Sequence, residues 1–375
     1  MTDVEARRDA DMNADIKLIT DNADRIFSWK YDRERDQLVT LYNKAMASQW
    51  DSVNDLDWAT DVDPDFLVHT TQKDNVTVEL ARAAKDLPGS PFANWGDKEF
   101  DALAIESLKA TLSQFMHGEQ GAMMVAAKIV ETVPWIDAKY YAATQTMDEA
   151  RHTEVFAKYL HTKLGDPYPM SQYLEEQIQV LVEDSRWDIA YLGMQIIIES
   201  LALAAFGQML RVTEEPLLRK LLRYVMSDEA RHVALGILSL GEYYENLTSA
   251  ELLDRQEFMA ENTVRNRTRS TTPEVWERMG VSADVARPFL MEAAATLDRS
   301  YFTGFQTAFF SKLVPNTRKL GLLDANDGHL RKLWGEVGML EWEYADSTAE
   351  DYEAYDAVAA DRATAPRTAA TPPRN

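Results

Sequence analysis

The pentapeptide Asp-Glu-Ala-Arg-His occurs twice in this chain, at residues 148–152 and again at 228–232. Within each copy a Glu and a His stand three residues apart, the spacing that sets two side chains on one face of an α-helix. Each copy follows a Glu embedded in an apolar helical stretch. Glu119 precedes Glu149 by 30 residues, and Glu199 precedes Glu229 by 30, so the whole set repeats at an offset of 80. A single Glu-x-x-His is common on solvated helix faces. Two identical copies at matched distances from two glutamates, using two of only six histidines, restrict the fold far more. Four carboxylates and two imidazoles on four helices are what a dinuclear metal site in a helix bundle requires.

The surroundings of the glutamates sharpen this. Glu199 lies in Ile196-Ile197-Ile198-Glu199-Ser200-Leu201-Ala202-Leu203, and Glu119 has Phe115, Met116, Ala122, Met123 and Met124 around it. An ionised Glu buried unpaired in such a helix is costly, so each needs a proton or a cation. Four carboxylates cancel the formal charge of two divalent ions. Oxygen donors with one nitrogen per ion suit iron or manganese better than copper or structural zinc. A ligating His also needs an acceptor for its second ring nitrogen. Asp148 and Asp228 are placed to supply it, and Arg151 and Arg231 could hold those aspartates.

Composition agrees with an all-α chain. Gly and Pro are sparse among the 375 residues, and the long periodic segments are rich in Ala, Leu, Glu, Met and Gln. The net charge of −23 disfavours nucleic acid, anionic membranes and acidic carrier proteins. The absence of cysteine excludes disulfides, Cys-ligated iron–sulfur clusters and thiolate zinc sites within the sequence. Electrons for any redox reaction must then come from an external donor. Met1–Asp15 lacks the apolar run of a secretory signal, and no run of about 18 uncharged apolar residues exists, so no membrane span is expected and a cytoplasmic protein is.

Residues 1–12 are charged and read as frayed, and residues 13–48 carry helical periodicity through Ile16, Ile19, Leu38, Leu41, Tyr42 and Met46. The stretch 49–96 reads as a connector with a short helix near 75–86, its Trp50 and Trp58 serving as packing anchors rather than functional groups. Long helices are expected over 97–132, 134–164, 186–211 and 215–246, with a shorter one at 170–184. Further helices are expected at 248–270, 273–280, 283–314 and 326–342. Residues 346–375 have the composition of a disordered tail. The domain reading is therefore 1–96 as N-terminal helices and connector, 97–246 as a metal-binding bundle, 247–345 as C-terminal helices, and 346–375 as tail.

The doubled Glu-x29-Asp-Glu-Ala-Arg-His pattern resembles the ferritin-like carboxylate di-iron superfamily over roughly residues 97–246. Its motif is most similar to the hydroxylase α subunits of bacterial multicomponent monooxygenases, and less so to the soluble acyl-carrier desaturases. The resemblance implies a ferritin-like four-helix bundle with additional N- and C-terminal helices. It implies two iron ions, or a Mn/Fe pair, with O2 as co-substrate. One ion would be held by Glu119, Glu149 and His152, the other by Glu199, Glu229 and His232, with Glu149 and Glu229 as bridges. Asp148 would serve His232 and Asp228 would serve His152, across the pseudo-twofold axis. The implied function is a monooxygenase or hydroxylase acting on a small organic substrate in a buried apolar pocket, fed by a ferredoxin or flavin reductase and assembled as a homodimer.

The chain departs from the families it resembles at informative places. Leu203 stands where the monooxygenases carry a Thr, Phe156 where the radical-generating reductase subunit has a Tyr, and Val225 where the aminobenzoate N-oxygenases add a third His. Phe115, Ala122, Met123, Gln145, Gln195, Leu203 and Phe206 lie one or two turns from the expected ligands and are candidate pocket walls, with ordinary core packing as the competing role. Gln145 and Gln195, each one turn before a ligand Glu, are the better candidates for site contacts. A desaturase or N-oxygenase with the same cluster, a ferroxidase or iron-binding protein, and a metal-free helical scaffold are the alternatives.

Overall fold

The computed structural model describes residues 23–265, 273–298 and 300–345, and every regular element among them is helical. Helix α1 (Asp36–Ala47) is followed by two short helices, α2 (Pro64–His69) and α3 (Val76–Ala84). Four long helices come next around α6 (Gln172–Glu183): α4 (Asp97–Thr132), α5 (Ile136–Tyr159), α7 (Trp187–Val212) and α8 (Pro216–Tyr244). The C-terminal part holds α9 (Ser249–Arg265), α10 (Pro273–Arg278), α11 (Ala283–Ala294), α12 (Ser300–Lys319) and α13 (Ala325–Glu336). The expected frayed start and the 346–375 tail lie outside the described residues.

The four long helices form two hairpins. Three-residue links join α4 to α5 and α7 to α8, short enough to make each pair antiparallel neighbours. Sequence dictates the ends. Glu99 accepts the Gly96 N–H at 2.7 Å at the start of α4. Glu215 caps α8 by accepting from Leu217 and Leu218, at 2.8 and 2.6 Å, and Pro216 occupies the first helical turn. Tyr159 at the end of α5 donates to the same Glu215 at 3.0 Å, which ties the two motif-bearing helices together.

Helix α7 is π-wound over Leu192–Ile198, immediately before Glu199. It is long and apolar enough to cross a membrane by length and composition, yet 83% of its most apolar window is buried inside the protein. Its hydrophobic surface is consumed by the bundle. Two of three apolar clusters among the described residues fill the middle of the bundle, one with Ala122, Tyr141, Met194 and Ile196, the other with Phe156, Leu203, Phe206, Leu221 and Val225, while the third gathers Val78, Phe92 and Trp276.

Three expectations about the flanks need correction, and the first is the single helix over 326–342, which ends at Glu336 before a left-handed Gly338 and a 3-10 turn over Met339–Trp342. Residues 23–35 are not helical. They run as a strap, held by an ion pair from Arg33 to Asp137, by the N–H groups of Glu34 and Arg35 on Asp137 (3.2 and 3.1 Å), and by Arg35 on Glu242 (2.8 Å). The single helix expected over 283–314 is two. Thr296 turns its N–H (2.9 Å) and its hydroxyl (2.7 Å) onto the Ala293 carbonyl, closing α11 before α12 begins. The connector also holds α2 beside the one short helix expected there, with Asp63 accepting from Asp65 as its N-cap.

Candidate metal centre

Each long helix delivers what its sequence carries. Helix α4 brings Glu119, α5 brings Glu149 and His152, α7 brings Glu199, and α8 brings Glu229 and His232. All six side chains meet in the centre of the bundle, between the two apolar clusters. Glu119 is 5% exposed and the other five are 2% or less.

The donors form two overlapping groups, Glu119–Glu149–His152–Glu229 and Glu149–Glu199–Glu229–His232. Within each group the ligand atoms lie within 4.8 Å of one another. Glu149 and Glu229 belong to both. Glu149 presents Oε2 to His152 Nδ1 and Oε1 to His232 Nδ1, each at 3.2 Å. Glu229 presents Oε1 to His152 Nδ1 at 3.1 Å and Oε2 to His232 Nδ1 at 2.9 Å. Of the two imidazoles, Glu119 reaches only His152, at 3.2 Å, and Glu199 only His232, at 3.5 Å.

Both imidazoles turn Nδ1 to the carboxylates and Nε2 outward to an aspartate of the other motif copy. His152 Nε2 meets Asp228 at 3.1 Å and His232 Nε2 meets Asp148 at 3.4 Å. Arg231 pairs with Asp228, and Arg151 pairs with Asp148 and lies 3.5 Å from Asp228. The stretch after α1 completes this layer. Gln49 donates to Asp148 at 3.1 Å and accepts from Arg151 at 2.8 Å. The indole N–H of Trp50 donates to Asp228 at 2.7 Å, while its ring stacks on Tyr224 and lies under the Arg151 guanidinium. Trp50 is therefore more than the packing anchor expected from sequence. Trp58 keeps to that role, donating to the Ser52 carbonyl beneath Lys158. Replacing Trp50 with phenylalanine is expected to weaken the ion nearer His152 by roughly tenfold, since a hydrogen bond behind a ligand commonly carries that much affinity. Calorimetric addition of Mn(II) measures it, and an unchanged affinity would remove Trp50 from the site.

Electrostatics test whether cations fit. Burial, and then the facing Glu229 charge, push the carboxyls of Glu119 and Glu199 well above the usual range. Burial pushes both imidazoles down, but the carboxylates around them outweigh it and hold both well above the usual histidine range. Burial likewise raises Glu149 and Glu229, and the two imidazoles outweigh it and hold both low. Without ions, protons must neutralise the cluster. Glu229 Oε1 is also buried, and apart from its 3.1 Å approach to His152 Nδ1 it has no hydrogen bond. Four carboxylates balanced by two divalent cations satisfy every one of these groups.

The candidate pocket residues separate into two kinds. Gln145 donates to Glu149 Oε1 at 3.0 Å and to Glu199 Oε1 at 2.9 Å, and accepts from Gln195 at 2.7 Å. Phe115 and Phe206 meet edge to face at 4.7 Å, with Phe156 at 5.8 and 5.7 Å from them, and Leu203 shares their cluster. Ala122 is buried in the other cluster, and Met123 is half-buried. A half-open cleft of about 310 Å³ between α1 and α8, lined by Thr40, Leu41, Ala234 and Ile237 among others, includes none of these residues.

Fold and site together define an all-helical protein with a buried carboxylate–imidazole centre able to hold two metal ions, as the resemblance to ferritin-like carboxylate proteins leads one to expect. No protein-family model matches the chain, and no curated protein matches it. Among solved structures, the chain is similar to a mutant R2-like ligand-binding oxidase with an aerobically reconstituted Mn/Fe cofactor. That likeness has 15% identity and a TM-score of 0.39, covering 84% of this chain and 96% of the other.

Proposed function

We propose that this protein is a di-iron oxidoreductase that reacts with O2 and oxidises a small organic substrate, most simply by hydroxylation. One observation carries the reading. Glu149 and Glu229 each face both imidazoles with different oxygens, so two ions placed against His152 and His232 would share both carboxylates. Glu119 would complete the first position and Glu199 the second. A manganese–iron pair would satisfy the same donors.

The bound ions would supply electrons for reducing O2. The chain's own residues do the rest. Asp148 and Asp228 hold the imidazoles with Nδ1 turned inward. Phe115 and Phe156, one turn from Glu119 and His152 in sequence, pack with Phe206 and would offer an apolar wall to an organic substrate. Leu203, one turn after Glu199, brings no hydroxyl for proton delivery. The sequence has no cysteine for an iron–sulfur cluster, so electrons would enter from a separate ferredoxin or flavin reductase. A homodimer of cytoplasmic location belongs to the same proposal.

The test is a stopped-flow absorption experiment. Protein loaded anaerobically with two Fe(II) per chain is mixed with O2. Transient visible absorbance should rise and decay, with about one O2 consumed per pair of ions. A trace identical to that of free Fe(II) in buffer would sink the proposal.

A further inference from the structure

The two motif copies are identical, but their surroundings are not. Applying the offset of 80 sets Gln145 against Val225, Tyr141 against Leu221, Gln195 against Phe115, and Gly236 against Phe156. Near His232 the members of these pairs are Tyr141, Gln145, Gln195 and Gly236. Tyr141 stands edge-on to His232 with ring centroids 6.4 Å apart, and Gly236 leaves space that Gln195 fills, since a Cβ there would lie 2.5 Å from the Gln195 Cβ. Near His152 the counterparts are apolar. Phe115 packs on Phe156, and Leu221 and Val225 belong to the same cluster.

From this we infer that the two ion positions are unlike, and that the position against His232 fills first because Gln145 holds two of its carboxylates in place. This rests on the dinuclear reading above. Both imidazoles have an aspartate behind them, at 3.1 and 3.4 Å, and each aspartate has a donor from the stretch after α1, Trp50 or Gln49. Those contacts divide the positions only slightly. The amide is the unbalanced contact. Gln145 Nε2 bridges Glu149 and Glu199, its orientation fixed by the Gln195 amide on its oxygen. Val225, at the equivalent place, cannot donate. Glu119, the outer carboxylate of the other position, has only His152 as a hydrogen-bond partner among the described residues. A carboxylate already held costs less to order around an ion. Gln145 is a positioning residue, acting through Glu149 and Glu199.

Calorimetric addition of Mn(II) to the metal-free full chain, with free Mn(II) followed in parallel by electron paramagnetic resonance, tests this. Two classes at least tenfold apart are expected. Gln145→Leu should weaken the tighter class by roughly 10–100-fold and leave the weaker one in place. Gln195→Leu touches no donor and should give a smaller loss in the same class, which keeps the test open if Gln145→Leu misfolds. Trp50→Phe should move the weaker class alone. Two ions of equal affinity in the native chain, or a Gln145→Leu loss shared equally by both, would overturn this inference and leave the dinuclear reading intact. Binding of no ion at all would overturn both.

Discussion

Glu229→Ala is expected to leave the chain unable to hold either ion, whereas Glu119→Ala should lose one and keep the other. The difference follows from the sharing of donors. Glu229 belongs to both groups of four, so its removal takes a ligand from each, and Glu119 belongs to one. The loss at each position should exceed the roughly 10–100-fold that a contact behind a ligand is worth, because a direct donor is gone. The fold should survive. In the metal-free protein Glu229 is the charge that, after burial, does most to raise Glu119 and Glu199, so its deletion relieves repulsion within the cluster. Metal content after desalting, measured by plasma mass spectrometry on the native chain and both variants, decides the matter, with circular dichroism as the control for folding. Two ions retained by Glu229→Ala would mean that the carboxylate bridges nothing.

The centre was legible in the sequence because its information is local. Glu149 and His152 are three residues apart, as are Glu229 and His232, and helical geometry alone puts each pair on one face. The two outer glutamates stood out because Ile196–Ile198 and the methionines after Glu119 leave a buried charge without a partner. Gln145 and Gln195 were visible for a similar reason, as polar groups one turn from a ligand. The contacts of Gln49 and Trp50 were not legible. They cross 99 and 178 residues and arise where a connector without periodicity folds back over the bundle. Composition cannot register such a contact, and an exposed-looking Trp in an Asp-rich stretch reads as packing.

The flanks failed for a related reason. The helical reading of 13–48 carried residues 23–35 along between Ile19 and Leu38, but Asp137 captures two of their backbone N–H groups and the Arg33 guanidinium. A tertiary carboxylate overrode the local propensity, which is worth only tenths of a kcal/mol per residue. Ahead of α12 the Thr296 N–H and hydroxyl both close on the Ala293 carbonyl and end a helix that the sequence reading carried on to 314.

Loading the centre with two divalent ions at neutral pH should release up to about four protons, because metal binding requires the carboxylate and neutral-imidazole forms. Glu119 and Glu199, raised by burial and by the facing carboxylates, hold their protons to higher pH in the metal-free chain than a free carboxyl does. His152 and His232 keep theirs because those carboxylates outweigh burial. Apparent affinity should therefore rise with pH. The metal-free fold should respond in the opposite direction. The raised imidazoles contribute stability that is complete below their unfolded value, about pH 6.5, and is lost as pH climbs through the folded value. The raised carboxyls bind more protons folded than unfolded, so they too cost stability as pH increases above about 4.3. Glu149, Glu229 and Asp228, held low, contribute stability that is lost only in acid, as pH falls through their folded values. As pH rises above about 6.5 the melting temperature in chelator should fall while that of the loaded protein holds, since ligand in thousandfold excess over its Kd adds about 4 kcal/mol per site. Calorimetry in buffers of different ionisation enthalpy counts the protons, and scanning calorimetry with and without Mn(II) follows the gap. Proton release near zero, or a gap that narrows as pH rises, would show that the buried cluster is not neutralised by protons that ions replace.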